Sequence, residues 1–242
     1  MAQHIGIVAC SAEGAALCYR TICAEGVSKM GEHKHPEITM HTYPLSEYMV
    51  YIRSGDWENV GELMIRSACI VSEAGADFVI CADNTIHQAF EIAVKQSPIP
   101  WLHIAEVVAT EAKERKFTNL GILGTKYLMT GPVYPEAVKK FGINCQIPQE
   151  EQREQIDKII FAELVNGVFS EESRLYFNNV IEELSQTGCD AVVLGCTEIP
   201  LLVDPKDCPL PTLDSTRLLA RAALRKALEE SEGRGVRDQE KN

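Results

Sequence analysis

The chain is short of basic charge. Its 242 residues hold 23 Lys and Arg against 35 Asp and Glu, a formal net charge of −12. That deficit speaks against a nucleic-acid backbone or an anionic membrane surface as a partner. No apolar run approaches the ~18 residues of a membrane-spanning helix. The nine cysteines, at 10, 18, 23, 69, 81, 145, 189, 196 and 208, contain no CxxC pair, so neither a zinc ribbon nor a thioredoxin-type site is expected. His33 and His35 are spaced as a ligand pair but have no third donor nearby, so no metal is expected. The opening Met1-Ala2-Gln3-His4 lacks a basic n-region, and the thiols read as reduced, so the expected setting is the cytoplasm. What is present is an ordinary globular mix, 45% hydrophobic and 24% charged, long enough for one or two domains with real cores.

The chain repeats itself. Gly75-Ala76-Asp77 followed by Phe78–Cys81 lies on Gly188-Cys189-Asp190 followed by Ala191–Leu194, which sets Asp83 on Cys196. Gly6–Cys10 matches Gly121–Thr125, Ile38–Tyr43 matches Ile143–Pro148, and Pro98–Leu102 matches Pro209–Leu213. Four matches in the same order, at offsets between 105 and 115, describe two similar halves.

Short apolar runs at Ile5–Ala9, Phe78–Cys81, Leu120–Leu123 and Ala191–Leu194 read as buried parallel strands. Helical patterns lie between them. Asp56 caps one that runs to about Ala74, and Ser170 caps its counterpart, which ends at Gly188. Strand–helix alternation predicts an α/β fold of two similar, pseudo-twofold-related domains with parallel sheets. The expected division is 1–106 plus a returning C-terminal helix at 212–230, then 107–211, with a flexible tail at 231–242.

Ligands of open α/β sheets bind beyond the carboxyl ends of the strands. Those ends carry Cys10-Ser11, Asp83-Asn84-Thr85, Thr125-Lys126 and Cys196-Thr197-Glu198. Opposed repeat partners Asp83 and Cys196 suit one chemistry: one group removes the α-proton from one face of a carbon, the other delivers a proton to the opposite face. The carbanion between them needs aimed donors and little water. Helix N-termini, Asn84, Thr85, Thr125 and Thr197 are the candidate donors, although each also reads as a simple helix cap. Cys10, Ser11, Lys126 and Arg174 are further candidates for substrate contact, with an exposed surface role as the plainer reading of Arg174. A thiol's reference pKa of ~8.5 falls at helix N-termini, so Cys196 is expected to be partly thiolate.

Gly195-Cys196-Thr197-Glu198, Asn84-Thr85-Ile86-His87 and Leu123-Gly124-Thr125-Lys126-Tyr127 resemble the aspartate/glutamate racemase family of the Asp/Glu/hydantoin racemase superfamily. The likeness runs from Gly6 to about Asp214 and is nearest to bacterial broad-specificity amino-acid racemases. It implies two similar α/β domains with the active site between them, no cofactor, a homodimer, and a small amino-acid or carboxylic-acid substrate. Glu198 resembles the aspartate-racemase branch, since His is usual there in the glutamate racemases. Two positions depart from the family pattern. Asp83 stands where Cys or Thr is usual, and Ala9-Cys10-Ser11-Ala12 replaces a glycine-rich loop. The expectation is a racemase or epimerase acting on aspartate or glutamate through Cys196 and Asp83. The alternatives are a one-thiol decarboxylase or isomerase of a small carboxylic acid, and a non-catalytic small-molecule-binding relative.

Overall fold

The structure, a computed structural model, describes the backbone of residues 2–239 and the side chains of residues 2–229. The tail expected at 231–242 lies outside the described side chains. The first elements are β1 (Ile5–Ala9), α1 (Ala12–Met30), β2 (Ile38–Thr42), α2 (Leu45–Ser54), α3 (Trp57–Glu73), β3 (Phe78–Ile80) and α4 (Phe90–Gln96). There follow α5 (Ile104–Glu114), β4 (Asn119–Leu123), α6 (Lys126–Thr130), α7 (Val133–Lys139), β5 (Asn144–Gln146) and α8 (Glu150–Ala162). The last are α9 (Glu171–Gln186), β6 (Ala191–Leu194), α10 (Ile199–Leu202), β7 (Thr212–Asp214) and α11 (Ser215–Gln239). Among the described residues no helix is long and apolar enough to cross a membrane.

The strands form two sheets, ordered β2-β1-β3 and β5-β4-β6-β7, and every pairing is parallel. The α/β class read from the alternating runs is therefore the observed one. The chain divides into two compact units, Met1–Ala82 with Ala89–His103 and Leu219–Asn242, and Asp83–Gln88 with Ile104–Leu218.

The repeat is visible inside each unit. Gly75 and Gly188 both sit at positive φ, 99° and 95°, the conformation that ends α3 and α9 and that glycine adopts without a Cβ penalty. Asp77 Oδ2 accepts from His4 N at 2.7 Å, and Asp190 Oδ1 accepts from Asn119 N at 3.1 Å, so each aspartate ties itself to the start of a strand, at the residue just before β1 and at the first residue of β4. Val79 N donates to Pro100 O at 2.8 Å, and Val192 N donates to Pro211 O at 2.9 Å. The two proline motifs thus feed the same edge of their sheets.

Both faces of the second sheet are covered. Alternate side chains of β6 divide between two apolar clusters, Val192 and Leu194 in one, Ala191 and Val193 in the other. A strand buried on both faces has no polar alternation to show, which is why these segments read as continuous apolar runs. The equivalent helices of the two units begin where side chains cap them: Asp56 Oδ1 accepts from Asn59 N at 3.1 Å before α3, and Ser170 Oγ accepts from Ser173 N at 3.1 Å before α9.

The loop after β6 depends on a glycine for close approach. Gly195 N donates to Leu123 O at 2.8 Å, and a Cβ on Gly195 would stand 2.7 Å from that oxygen and 2.5 Å from Leu128 Cδ2. The leucine methyl can swing away, but the strand carbonyl cannot. Gly195→Ala is expected to destabilise the fold by about 1–3 kcal/mol, read as a lowered denaturation midpoint. An unchanged midpoint would mean that this loop has room to shift.

Candidate active site

At the end of β1, Cys10 is buried and Ser11 is half-buried. Ser11 Oγ accepts from Gly14 N at 3.3 Å and so caps α1. These two candidates belong to the first unit. Beyond β3, residues 83–88 group with the second unit, together with Thr125, Lys126, Arg174, Cys196 and Thr197.

Buried hydrogen bonds hold that short segment in place. Tyr134 donates its hydroxyl to Asn84 Oδ1 at 2.7 Å, Asn84 Nδ2 donates to Ser215 Oγ at 3.0 Å, and Ser215 Oγ donates to Leu194 O at 2.9 Å. Asn84 is 3% exposed and both ends of its amide have protein partners. Thr85 Oγ1 and Thr125 Oγ1 share a 3.0 Å hydrogen bond, and Thr125 Oγ1 also accepts from Leu128 N at 3.3 Å to cap α6. His87 is fixed by its neighbours. Ile104 N can only donate, so Nε2 accepts from it at 3.3 Å, and Nδ1 carries the proton given to Asp83 O at 2.8 Å.

Cys196 stands two residues beyond β6 and is half-buried. Its Sγ donates to Glu198 Oε2 at 2.9 Å, and Thr197 Oγ1 donates to the same oxygen at 2.8 Å. Glu198 itself is 3% exposed, a buried carboxylate with two hydroxyl- and thiol-type donors on one oxygen. Burial pushes the Cys196 thiol well above its ordinary range. The Glu198 charge and its hydrogen bond add to that rise, as does the charge of Asp83. The expected thiolate is therefore not the resting form at neutral pH. Two carboxylates and a low-dielectric setting outweigh the helix terminus that motivated the expectation. Asp83 and Cys196 stand within electrostatic reach of one another in a single compact unit.

Other candidates sit apart from this cluster or take surface partners. Arg174, in the first turn of α9, forms an ion pair with Glu171. Lys126 N donates to Asp157 Oδ1 at 2.8 Å, and its ammonium lies 5.5 Å from the centre of the Tyr127 ring. Sequence reasoning used Glu198 only as a branch marker and left out Tyr134 and Ser215. Glu198 could have been found from its place two residues after the thiol. Tyr134 had no such signal, because on the buried side of α7 it reads as one more packing residue beside Val133, Ala137 and Val138. Among the described residues no cluster of three or more His, Cys, Asp or Glu could hold a metal ion.

The contact between Glu198 and the thiol makes a direct prediction. Glu198→Gln removes a negative charge and leaves a neutral amide at the sulfur, so the thiol pKa falls. Alkylation of Cys196 by iodoacetamide, followed on its own peptide by mass spectrometry, should be faster in the variant below the thiol's titration range. An equal or slower rate would mean that the carboxylate does not govern the thiol.

Two parallel-sheet α/β units, with a thiol, two carboxylates and hydroxyl donors gathered within the second, define the class of protein. Residues 7–223 match the Asp/Glu/Hydantoin racemase family, and the chain belongs to it. It is 22% identical over 190 residues to the broad-specificity amino-acid racemase RacX of Bacillus subtilis, a span of 78% of this chain and 81% of that one. Among solved structures, a candidate Asp/Glu racemase from Yersinia pestis is 31% identical with a TM-score of 0.86, covering 93% of this chain and 99% of its own. An aspartate racemase homologue from Pyrococcus horikoshii is 26% identical with a TM-score of 0.81, covering 94% and 99%.

Proposed function

We propose that the protein is a cofactor-independent amino-acid racemase in which Asp83 and Cys196 act on opposite faces of the substrate α-carbon. The observation that supports it is the Cys196 thiol, hydrogen-bonded to buried Glu198 and within electrostatic reach of Asp83, in a member of a racemase family. The family and the printed activities of its relatives favour a small amino acid as substrate, with aspartate or glutamate first. The cytoplasm and a homodimer complete the proposal. Light scattering that gives the mass of one chain would remove the dimer from it.

In the resting protein the thiol carries its proton and Asp83 is the carboxylate. Asp83 takes the α-proton of one enantiomer and the Cα–H electron pair remains on carbon. Cys196 gives its thiol proton to the opposite face, which leaves a thiolate and a protonated Asp83. The other enantiomer runs the same path backwards. Glu198 holds the thiol by accepting its hydrogen bond and keeps the sulfur a poor acid until substrate is present. The Thr85 and Thr125 hydroxyls share one hydrogen bond, which leaves one hydroxyl proton of the pair to donate to the negative charge that develops on the substrate carboxylate.

Enantiomers have equal free energy, so kcat/KM must be the same in both directions at every pH. Activity requires one proton shared between the pair. The profile is therefore a bell, and its alkaline limb marks loss of the thiol proton. Because burial and two carboxylates raise that thiol, the limb is expected above the ~8.5 of a free cysteine. In Glu198→Gln the limb should move to lower pH. A limb that stays in place would separate Cys196 from the titration.

The function is tested by incubating the protein with L- and D-aspartate, L- and D-glutamate and a panel of neutral and basic amino acids. Chiral chromatography should show each active enantiomer approaching a 1:1 mixture. No interconversion of any of them would reject the proposal.

A further inference from the structure

The segment that carries Asp83 and the strand end that carries Cys196 are joined by one buried chain of hydrogen bonds. Asn84 follows Asp83, and Leu194 closes β6 two residues before Cys196. Between them run Tyr134, Asn84, Ser215 and the Leu194 carbonyl, at 2.7, 3.0 and 2.9 Å. The polarity of the chain follows from the carbonyl at its end. Leu194 O can only accept, so Ser215 spends its single proton there and must accept from Asn84 Nδ2. The amide oxygen of Asn84 then faces Tyr134, whose hydroxyl can donate. Tyr134 keeps that proton, because its burial pushes the phenol far above any pH at which the protein would be used. Tyr134, Ser215 and Asn84 are 0%, 0% and 3% exposed, so water does not compete for these bonds. The Asn84 amide oxygen and one of its two Nδ2 protons are taken by the protein, which assigns the residue to holding the loop.

From this geometry we infer that Tyr134, Asn84 and Ser215 are positioning residues that set the placement of Asp83 relative to Cys196. The inference rests on the racemase reading above. Tyr134 anchors Asn84 from the α7 side, and Ser215 anchors it to the end of β6. Removal of the Tyr134 hydroxyl touches none of the hydrogen bonds of Cys196 and Glu198 and loosens the backbone next to Asp83; removal of the Ser215 hydroxyl does the same and also releases Leu194 O. Proton transfer is steeply sensitive to such loosening, since a misplacement of about 1 Å can cost roughly 10²-fold in rate.

The test measures α-proton exchange in heavy water, by NMR, separately from each enantiomer of the best substrate. Exchange without inversion needs only the group on one face, so Cys196→Ala identifies which enantiomer Asp83 serves. In Tyr134→Phe, exchange from that enantiomer should fall roughly 10- to 100-fold relative to exchange from the other. Ser215→Ala should shift the ratio in the same direction, and it carries the test if the tyrosine variant does not fold. A merely structural role would lower both rates together. A folded variant whose two exchange rates are unchanged, or reduced by the same factor, overturns the inference. Absence of exchange in the wild-type protein overturns the racemase reading itself and this inference with it.

Discussion

Cys196→Ala should abolish racemisation, lowering kcat/KM by roughly 10²- to 10⁴-fold, the usual range for loss of a positioned acid–base group. The loss must be equal in both directions, because the equilibrium constant between enantiomers is fixed. The effect on α-proton exchange is not equal. Asp83 is untouched in this variant, and the enantiomer whose α-proton faces it should still exchange with solvent, without inversion. The opposite enantiomer should not exchange. The variant is also expected to fold, because Cys196 is half-buried and the substitution removes a thiol that spends its hydrogen bond on Glu198. That deletion leaves one donor, Thr197 Oγ1, on Glu198 Oε2. Racemisation at wild-type rate in Cys196→Ala would remove the thiol from the mechanism.

Asp83→Asn should show the mirror pattern. Racemisation falls by a similar 10²- to 10⁴-fold, and α-exchange survives only from the enantiomer that Cys196 serves. A second consequence separates this variant from a general disturbance of the site. The Asp83 charge is one of the causes that raise the Cys196 thiol, so its removal should lower the thiol pKa and speed alkylation of Cys196. Asparagine preserves size and polarity, and the backbone carbonyl of residue 83 still accepts from His87 Nδ1. If Asp83→Asn racemises normally, the carboxylate serves only to shape the loop, which is the role an Asx-type cap would give it.

Much of the fold was legible in the sequence because each half states its rules twice. Gly75 and Gly188 stop their helices at positive φ, and Asp77 and Asp190 bond back to the start of the central strand. A single half would have offered the same residues with no reason to single them out. The strand ends were legible for the same reason, and they brought Asp83 and Cys196 into view. What holds them was not. The partners of Asn84 lie 50 and 131 residues away along the chain, and Thr85 finds Thr125 at a separation of 40. Local pattern carries no information about such bonds. Tyr134 in particular is written into the buried side of a short amphipathic helix, and nothing in its neighbours distinguishes a tyrosine that packs from one whose hydroxyl orients an amide. The thiol's protonation was misjudged on physical grounds. A helix N-terminus lowers a thiol pKa by a modest dipole effect, whereas burial beside two carboxylates acts more strongly in the opposite direction.

Deuterium in the product tests the pairing of two opposed groups most directly. One pure enantiomer of the active amino acid is converted in heavy water, the reaction is stopped early, and the product enantiomer is isolated and examined by mass spectrometry. If one group removes the α-proton and another supplies its replacement from the opposite face, essentially every product molecule carries deuterium at Cα. Product that retains the substrate's own proton would mean that a single group carries it from face to face, and would contradict the assignment of Asp83 and Cys196 as an opposed pair.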